Sequence, residues 1–292
     1  MDKNLEELIA EFTQLVSPPD TWVKINEVLS DRNATTSDMA EIIQLDPGLT
    51  ASILKIVNSA YYNLRAGVDT VTRAIAVIGT NDLYSLATAI TAAETFSRVP
   101  CHLTSPEIFW QHSIGTGILA KKLAGKCSVL NTERLYVAGL LHDIGSLVLY
   151  SRFPEESSEA LMIANGDEEV LYGAENDIFG FNHAMVSAGL LKMWRMPDTL
   201  VSAVGFHHEP VQAGKDSIDA AIVCMANHVA NMYGVSAFME DANLNPADLN
   251  PEIWEITQLE EDVLDELMED YEDNLASAIA VMLPATVART GY

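Results

Sequence analysis

Ala138-Gly139-Leu140-Leu141-His142-Asp143-Ile144-Gly145 is the stretch on which the fold turns. It lies inside an apolar-periodic run, 131–152, that predicts a buried helix. Adjacent His and Asp on one helix project about 100° apart. Both can then reach one ion lying between helices, the imidazole giving a nitrogen and the carboxylate a hard oxygen. His112, in Phe109-Trp110-Gln111-His112-Ser113, is thirty residues upstream, the order of separation expected for a preceding antiparallel helix. Bundle interiors are natural places for such ligand sets.

The same periodicity extends in both directions. Leu5, Leu8, Ile9, Phe12 and Leu15 form one stripe, and Trp22, Ile25, Val28 and Leu29 form the next after Ser17-Pro18-Pro19-Asp20. Thr35 with Asp38 reads as a capping box, and Asp46-Pro47 as the end of one helix and the start of another. Two further apolar segments, 71–78 and 83–96, are separated by Gly79-Thr80-Asn81, and Pro100 to Pro106 is the best internal boundary. Helical patterns are then predicted over 107–126, 131–152, 180–194, 197–207 and 216–233. No alternating strand pattern stands out.

Sixteen Lys and Arg against forty-two Asp and Glu give a net charge of −26, which argues against nucleic acid or an anionic membrane as a default partner. Residues 1–239 hold 28 acids and 15 Lys or Arg, while 240–292 hold 14 acids and Arg289 alone, so each part carries −13. In the second part Leu259, Val263, Leu267, Tyr271, Leu275 and Ile279 mark an amphipathic helix whose other face is acidic. Such a helix needs packing of its apolar stripe, either on its own body or on a partner. Cys101, Cys127 and Cys224 form no metal or disulfide spacing, and the polar, acidic N-terminus shows no signal peptide, so a cytoplasmic location is expected.

Read as a whole, the chain resembles the HDOD family, non-canonical relatives of HD-domain metal-dependent phosphohydrolases in bacterial signalling. The likeness covers about residues 8–235 and rests on Ile43-Gln44-Leu45-Asp46-Pro47-Gly48-Leu49-Thr50, on Ile53 to Tyr62, on Ala74-Ile75-Ala76-Val77-Ile78-Gly79 and on the opening stretch. It implies an all-α fold: an N-terminal helical subdomain (1–100) packed on an HD-like helical bundle (101–239), followed by an acidic C-terminal helical extension (240–292).

The resemblance also implies a metal set. His112 matches the first histidine of catalytic HD relatives, His142 and Asp143 the pair, and His183, His207 and His208 the additional histidines of two-metal versions. Asn227 falls where a last aspartate is expected, and Ser146 where a lysine often follows. Both departures remove charge that phosphoryl chemistry uses. The expectation is therefore a regulatory protein acting through protein contacts or self-association, without efficient catalysis. A divalent metal (Fe, Mn, Mg or Zn) is the one cofactor this set would take. The alternative is a metal-dependent phosphohydrolase acting on a nucleotide or cyclic dinucleotide.

Overall fold

Short polar side chains start the helices at the positions their capping chemistry predicts. The computed structural model describes residues 4–15, 20–30, 35–58, 62, 64, 66–96, 99, 101–130, 132–233 and 244–282. The Thr35 side chain accepts from Asp38 N–H and Asp38 accepts from Thr35 N–H, closing the capping box. Asp46 caps the next helix by accepting from Leu49 N–H at 3.0 Å, with Pro47 in its first turn.

Among the described residues every regular element is a helix. The N-terminal half comprises α1 (Leu5–Leu15), α2 (Asp20–Ser30), α3 (Thr36–Gln44), α4 (Pro47–Val57) and α5 (Val71–Phe96). The bundle follows as α6 (Pro106–Lys126), α7 (Glu133–Leu141), α8 (Ile144–Arg152), α9 (Pro154–Ala164), α10 (Glu168–Phe179), α11 (His183–Met193), α12 (Asp198–Gly205) and α13 (Ser217–Met232). The C-terminal part adds α14 (Pro251–Thr257), α15 (Val263–Met268) and α16 (Tyr271–Met282). One apolar core runs from Leu8 through Trp110, Leu140 and Ile222 to Tyr271 and Ala278. The architecture is the expected all-α, HD-like one.

Three elements differ from expectation. The run 131–152 is two helices, broken where His142 is followed by Asp143 at φ −104°, ψ 8°. The break redirects the chain at the ligand pair, and the apolar stripes on either side conceal it in the sequence. Residues 153–179, unassigned by periodicity, form α9 and α10. Among its described residues the acidic extension forms three short α-helices after a 3-10 turn at Pro246–Asp248, because Gln258 and Asp270 take left-handed backbone conformations (φ 55° and 59°). Gly79, by contrast, interrupts α5 as predicted, at φ 85°.

The acidic extension docks on the body of its own chain. Ile253, Val263, Leu267, Tyr271 and Leu275 are buried, while Lys122 donates to Leu267 O and Glu269 O and Lys126 pairs with Glu266. Lys55 donates to Ala280 O at 3.1 Å, so this lysine serves the extension. The body supplies the cations that the extension lacks. Asn58 ties α4 to the following loop by bonding both Val68 N–H and Val68 O at 2.7 Å. Ser59 and Tyr61, within the Ile53 to Tyr62 stretch that carries the resemblance, lie outside the described residues.

Glycine contacts set the separation of the helices that carry the site. A Cβ on Gly139 would lie 2.8 Å from Thr116 O, and one on Gly117 would lie 2.8 Å from Tyr136 O. The backbones of α6 and α7 therefore touch, which brings His112 beside His142. A Cβ on Gly145 would lie 2.1 Å from His183 O, so α8 can meet α11 only because residue 145 is glycine.

Candidate metal centre

Four imidazoles converge on one buried carboxylate, and a fifth joins them through His183. Asp143 Oδ2 lies 3.0 Å from His142 Nε2 and 3.8 Å from His112 Nε2, while Oδ1 lies 3.4 Å from His183 Nε2 and 3.8 Å from His207 Nε2. His208 Nε2 completes the ring, 3.0 Å from His183 Nε2. Asp143, His142 and His207 are fully buried, and the residues come from α6, the α7–α8 break, the start of α11 and the end of α12. The sequence-predicted histidines and Asp143 thus share one site.

The far nitrogens of the rings are engaged. His142 Nδ1 donates to Gly139 O at 2.7 Å, and His207 Nδ1 donates to Val204 O at 2.7 Å. His183 Nδ1 lies 2.7 Å from Glu175 Oε2, and His208 Nδ1 lies 3.4 Å from Glu169 Oε1. Anchoring Nδ1 this way fixes the ring and turns the Nε2 lone pair toward the centre, the arrangement metal-ligating histidines use. Nε2 of His207 and Asp143 Oδ1 are buried without a hydrogen bond, while Asp143 Oδ2 faces His142 Nε2 at 3.0 Å. Lone pairs facing a carboxylate repel unless a proton or cation lies between them.

The residues present therefore fit a divalent metal. His112, His142 and Asp143 each offer an atom within 4.8 Å of the others, as do His183, His207 and His208, and Asp143, Glu168 and His207. A cation bound there would supply positive charge and Lewis acidity that the side chains lack. Burial opposes charge on His142, but Asp143 outweighs it and raises the imidazole. His183 is pushed up to about 9 against its burial by Glu175 and Asp143. Burial and then neighbouring imidazoles hold His207 and His208 well down.

Asn227, the remaining residue of the predicted set, hydrogen-bonds to Glu168 and Asn231. Its Nδ2 donates to Glu168 Oε1 at 2.6 Å, and its Oδ1 accepts from Asn231 Nδ2 at 3.3 Å. Asn231 Nδ2 also donates to Glu168 Oε2 at 2.8 Å. Glu168 is pushed up to about 7 by burial and then by Asp143. Glu168, Glu175 and Asn231 were not apparent from the sequence. Two of them lie on α10, the unassigned helix, and Glu168 in its first turn reads as an ordinary complement to the helix dipole. His228, next to Asn227, points elsewhere, its Nε2 meeting Asn245 O at 3.0 Å.

A cleft of about 530 Å³ opens onto the centre past Glu168, His207, His208 and Asn227, with Leu249 and Ile253 of the C-terminal part on its wall. Asp167, Glu168, Glu169 and Asp248 line it, and no Lys or Arg does so among the described residues.

A model of the HDOD domain matches residues 15–210. The chain belongs to the HDOD family. An uncharacterized protein of Treponema pallidum (strain Nichols) is 25% identical over 196 residues, 65% of this chain, and the match spans only 37% of that relative's length. An HDOD domain protein of unknown function from Geobacter sulfurreducens has the same fold, with a TM-score of 0.79 at 23% identity over 96% of this chain and 98% of its own. A protein of Shewanella amazonensis SB2B named as a candidate phosphohydrolase gives a TM-score of 0.73 at 22% identity, covering 95% and 98%. These two likenesses establish the fold of this HDOD chain.

Proposed function

We propose that this HDOD protein is a regulatory metal-binding protein that works through protein contacts and is not an efficient phosphohydrolase. The observation that carries the reading is a full set of converging ligands behind a cleft lined by four carboxylates and by no Lys or Arg among the described residues. Phosphoryl transfer needs cationic groups to meet the transferring phosphate. Here an anionic nucleotide would approach Asp167, Glu168, Glu169 and Asp248. Ser146, where a lysine is often found, is buried and contributes no charge. Metal occupancy in this reading rigidifies the bundle and biases which surface a partner meets.

Among the described residues no helix is long and apolar enough to cross a membrane. The test is a screen of phosphomonoesters, phosphodiesters and cyclic dinucleotides with the metal-loaded chain. Negligible turnover with every metal is expected. Robust metal-dependent hydrolysis that is lost on His142→Ala would overturn the reading in favour of the phosphohydrolase alternative.

A further inference from the structure

The departure at Asn227 has a counterpart across the cleft. Glu168, from α10, brings a carboxylate within 4.8 Å of ligand atoms of Asp143 and His207, and its Oε1 is 4.0 Å from His208 Nε2. Two amides grip it, one on each oxygen: Asn227 Nδ2 at 2.6 Å and Asn231 Nδ2 at 2.8 Å. The Asn231–Asn227 hydrogen bond then locks the two amides to each other. Each Asn lies on α13, one turn apart, and both are buried.

We infer that Glu168 is the second carboxylate ligand of the metal centre, with Asn227 and Asn231 as its positioning residues. The inference rests on the reading that the centre binds metal. Asn227 is then no eroded ligand. A carboxylate at 227 could not donate to Glu168 and would set two anions at hydrogen-bonding distance, a costly arrangement without a proton between them. Glu at 168 and Asn at 227 are complementary, and together they return to the site the anionic oxygen that α13 does not offer. Two carboxylates balance one divalent cation, which Asp143 alone does not. Asp143 Oδ1 and His207 Nε2, buried, without a hydrogen bond and in the same cluster as Glu168, are what a shared ion would satisfy. Mixed imidazole and carboxylate ligands suit a borderline to hard ion such as Mn, Fe or Zn over a soft one.

Titration calorimetry of the chelator-stripped full chain with Mn²⁺ tests this, with circular dichroism to confirm folding. Wild type is expected to bind, Asp143→Asn to lose binding, and Glu168→Gln to bind at least about tenfold more weakly, the scale on which ligand-shell changes act. Asn227→Ala keeps the carboxylate but removes the donor on its Oε1 and unlocks Asn231, and is expected to weaken binding by about the same factor; it decides the matter should Glu168→Gln not fold. Wild-type affinity and stoichiometry in Glu168→Gln, or in Asn227→Ala when Glu168→Gln is unfolded, would overturn the assignment of Glu168 while leaving the centre intact. A wild-type chain that takes up no Mn²⁺, Fe²⁺ or Zn²⁺ would overturn the centre itself and this inference with it.

Discussion

Glu175 holds His183 twice through one oxygen: Oε2 accepts from the His183 backbone N–H at 2.8 Å and lies 2.7 Å from its Nδ1. The carboxylate takes up the first backbone N–H of α11, which Asn182 caps, and aims the imidazole at Asp143. Both groups are almost fully buried, so the orientation is not screened by water. Glu175→Gln removes the charge while preserving shape. Metal affinity is expected to fall about 10- to 100-fold with little change in secondary structure. Calorimetry beside circular dichroism checks this, and unchanged affinity would show that His183 needs no such anchor.

Gly145 is the most sterically constrained position near the site. Its added Cβ would meet His183 O and Ser187 N, both backbone atoms, and the native Gly145 N–H donates to Ser187 Oγ at 2.8 Å. Gly145→Ala must push α8 and α11 apart, and a cost of about 3 kcal/mol or more is expected in urea unfolding. Ser146→Ala next to it is the control. Ser146 Oγ is buried and faces the Tyr150 hydroxyl, so its removal is expected to cost about 1 kcal/mol, well below Gly145→Ala.

A pH response resides away from the centre, at Asp82. Burial, then the hydrogen bond with Glu133, pushes this carboxyl up to about 6, against the pull of Lys121 at 2.9 Å. Its unfolded value is 3.8, so the stability it contributes is full below that pH and is lost as pH rises through about 6. Glu133 is lowered and acts with the opposite sign, offsetting part of the effect. Asp82→Asn is expected to flatten the loss of stability between about pH 4 and 6. Parallel wild-type and variant profiles in denaturant titrations across that range would contradict the assignment.

The C-terminal helices depend on lysines of α6. Lys122 caps the end of α15 through Leu267 O and Glu269 O, where a cation also complements the helix dipole. Lys122→Met is expected to loosen residues 263–282 at a cost of about 1 kcal/mol. Faster hydrogen exchange there, with α6 to α13 unchanged, is the measurement. Exchange accelerated throughout the bundle would show that the extension and α6 to α13 open as one cooperative unit.

Much of the fold is written in local signals. Thr35 with Asp38, Asp46-Pro47 and the spacing of Leu8, Ile9 and Phe12 act through the backbone within one turn, so they are readable without tertiary context. The His142-Asp143 pair and the other histidines are legible for a similar reason: their types are rare, and each sits beside an apolar stripe. Glu168 and Glu175 are different. On α10 they stand among Glu169 and Asp177, where acids usually mean a solvated face, and only the packing of α10 against α11 and α13 makes two of them interior. The breaks at Gln258 and Asp270 are hidden likewise, since no glycine marks those left-handed turns. Asn227 was visible as a departure, but its role depends on a partner 59 residues away.

The central claim is that Asp143 and its ring of imidazoles form a metal centre. Elemental analysis of the purified full chain, beside Asp143→Asn prepared identically, tests it most directly. A stoichiometric divalent metal in the wild type, absent from the variant, is the predicted result. A wild type that carries no more metal than Asp143→Asn, even after exposure to Fe²⁺, Mn²⁺ and Zn²⁺, would contradict it.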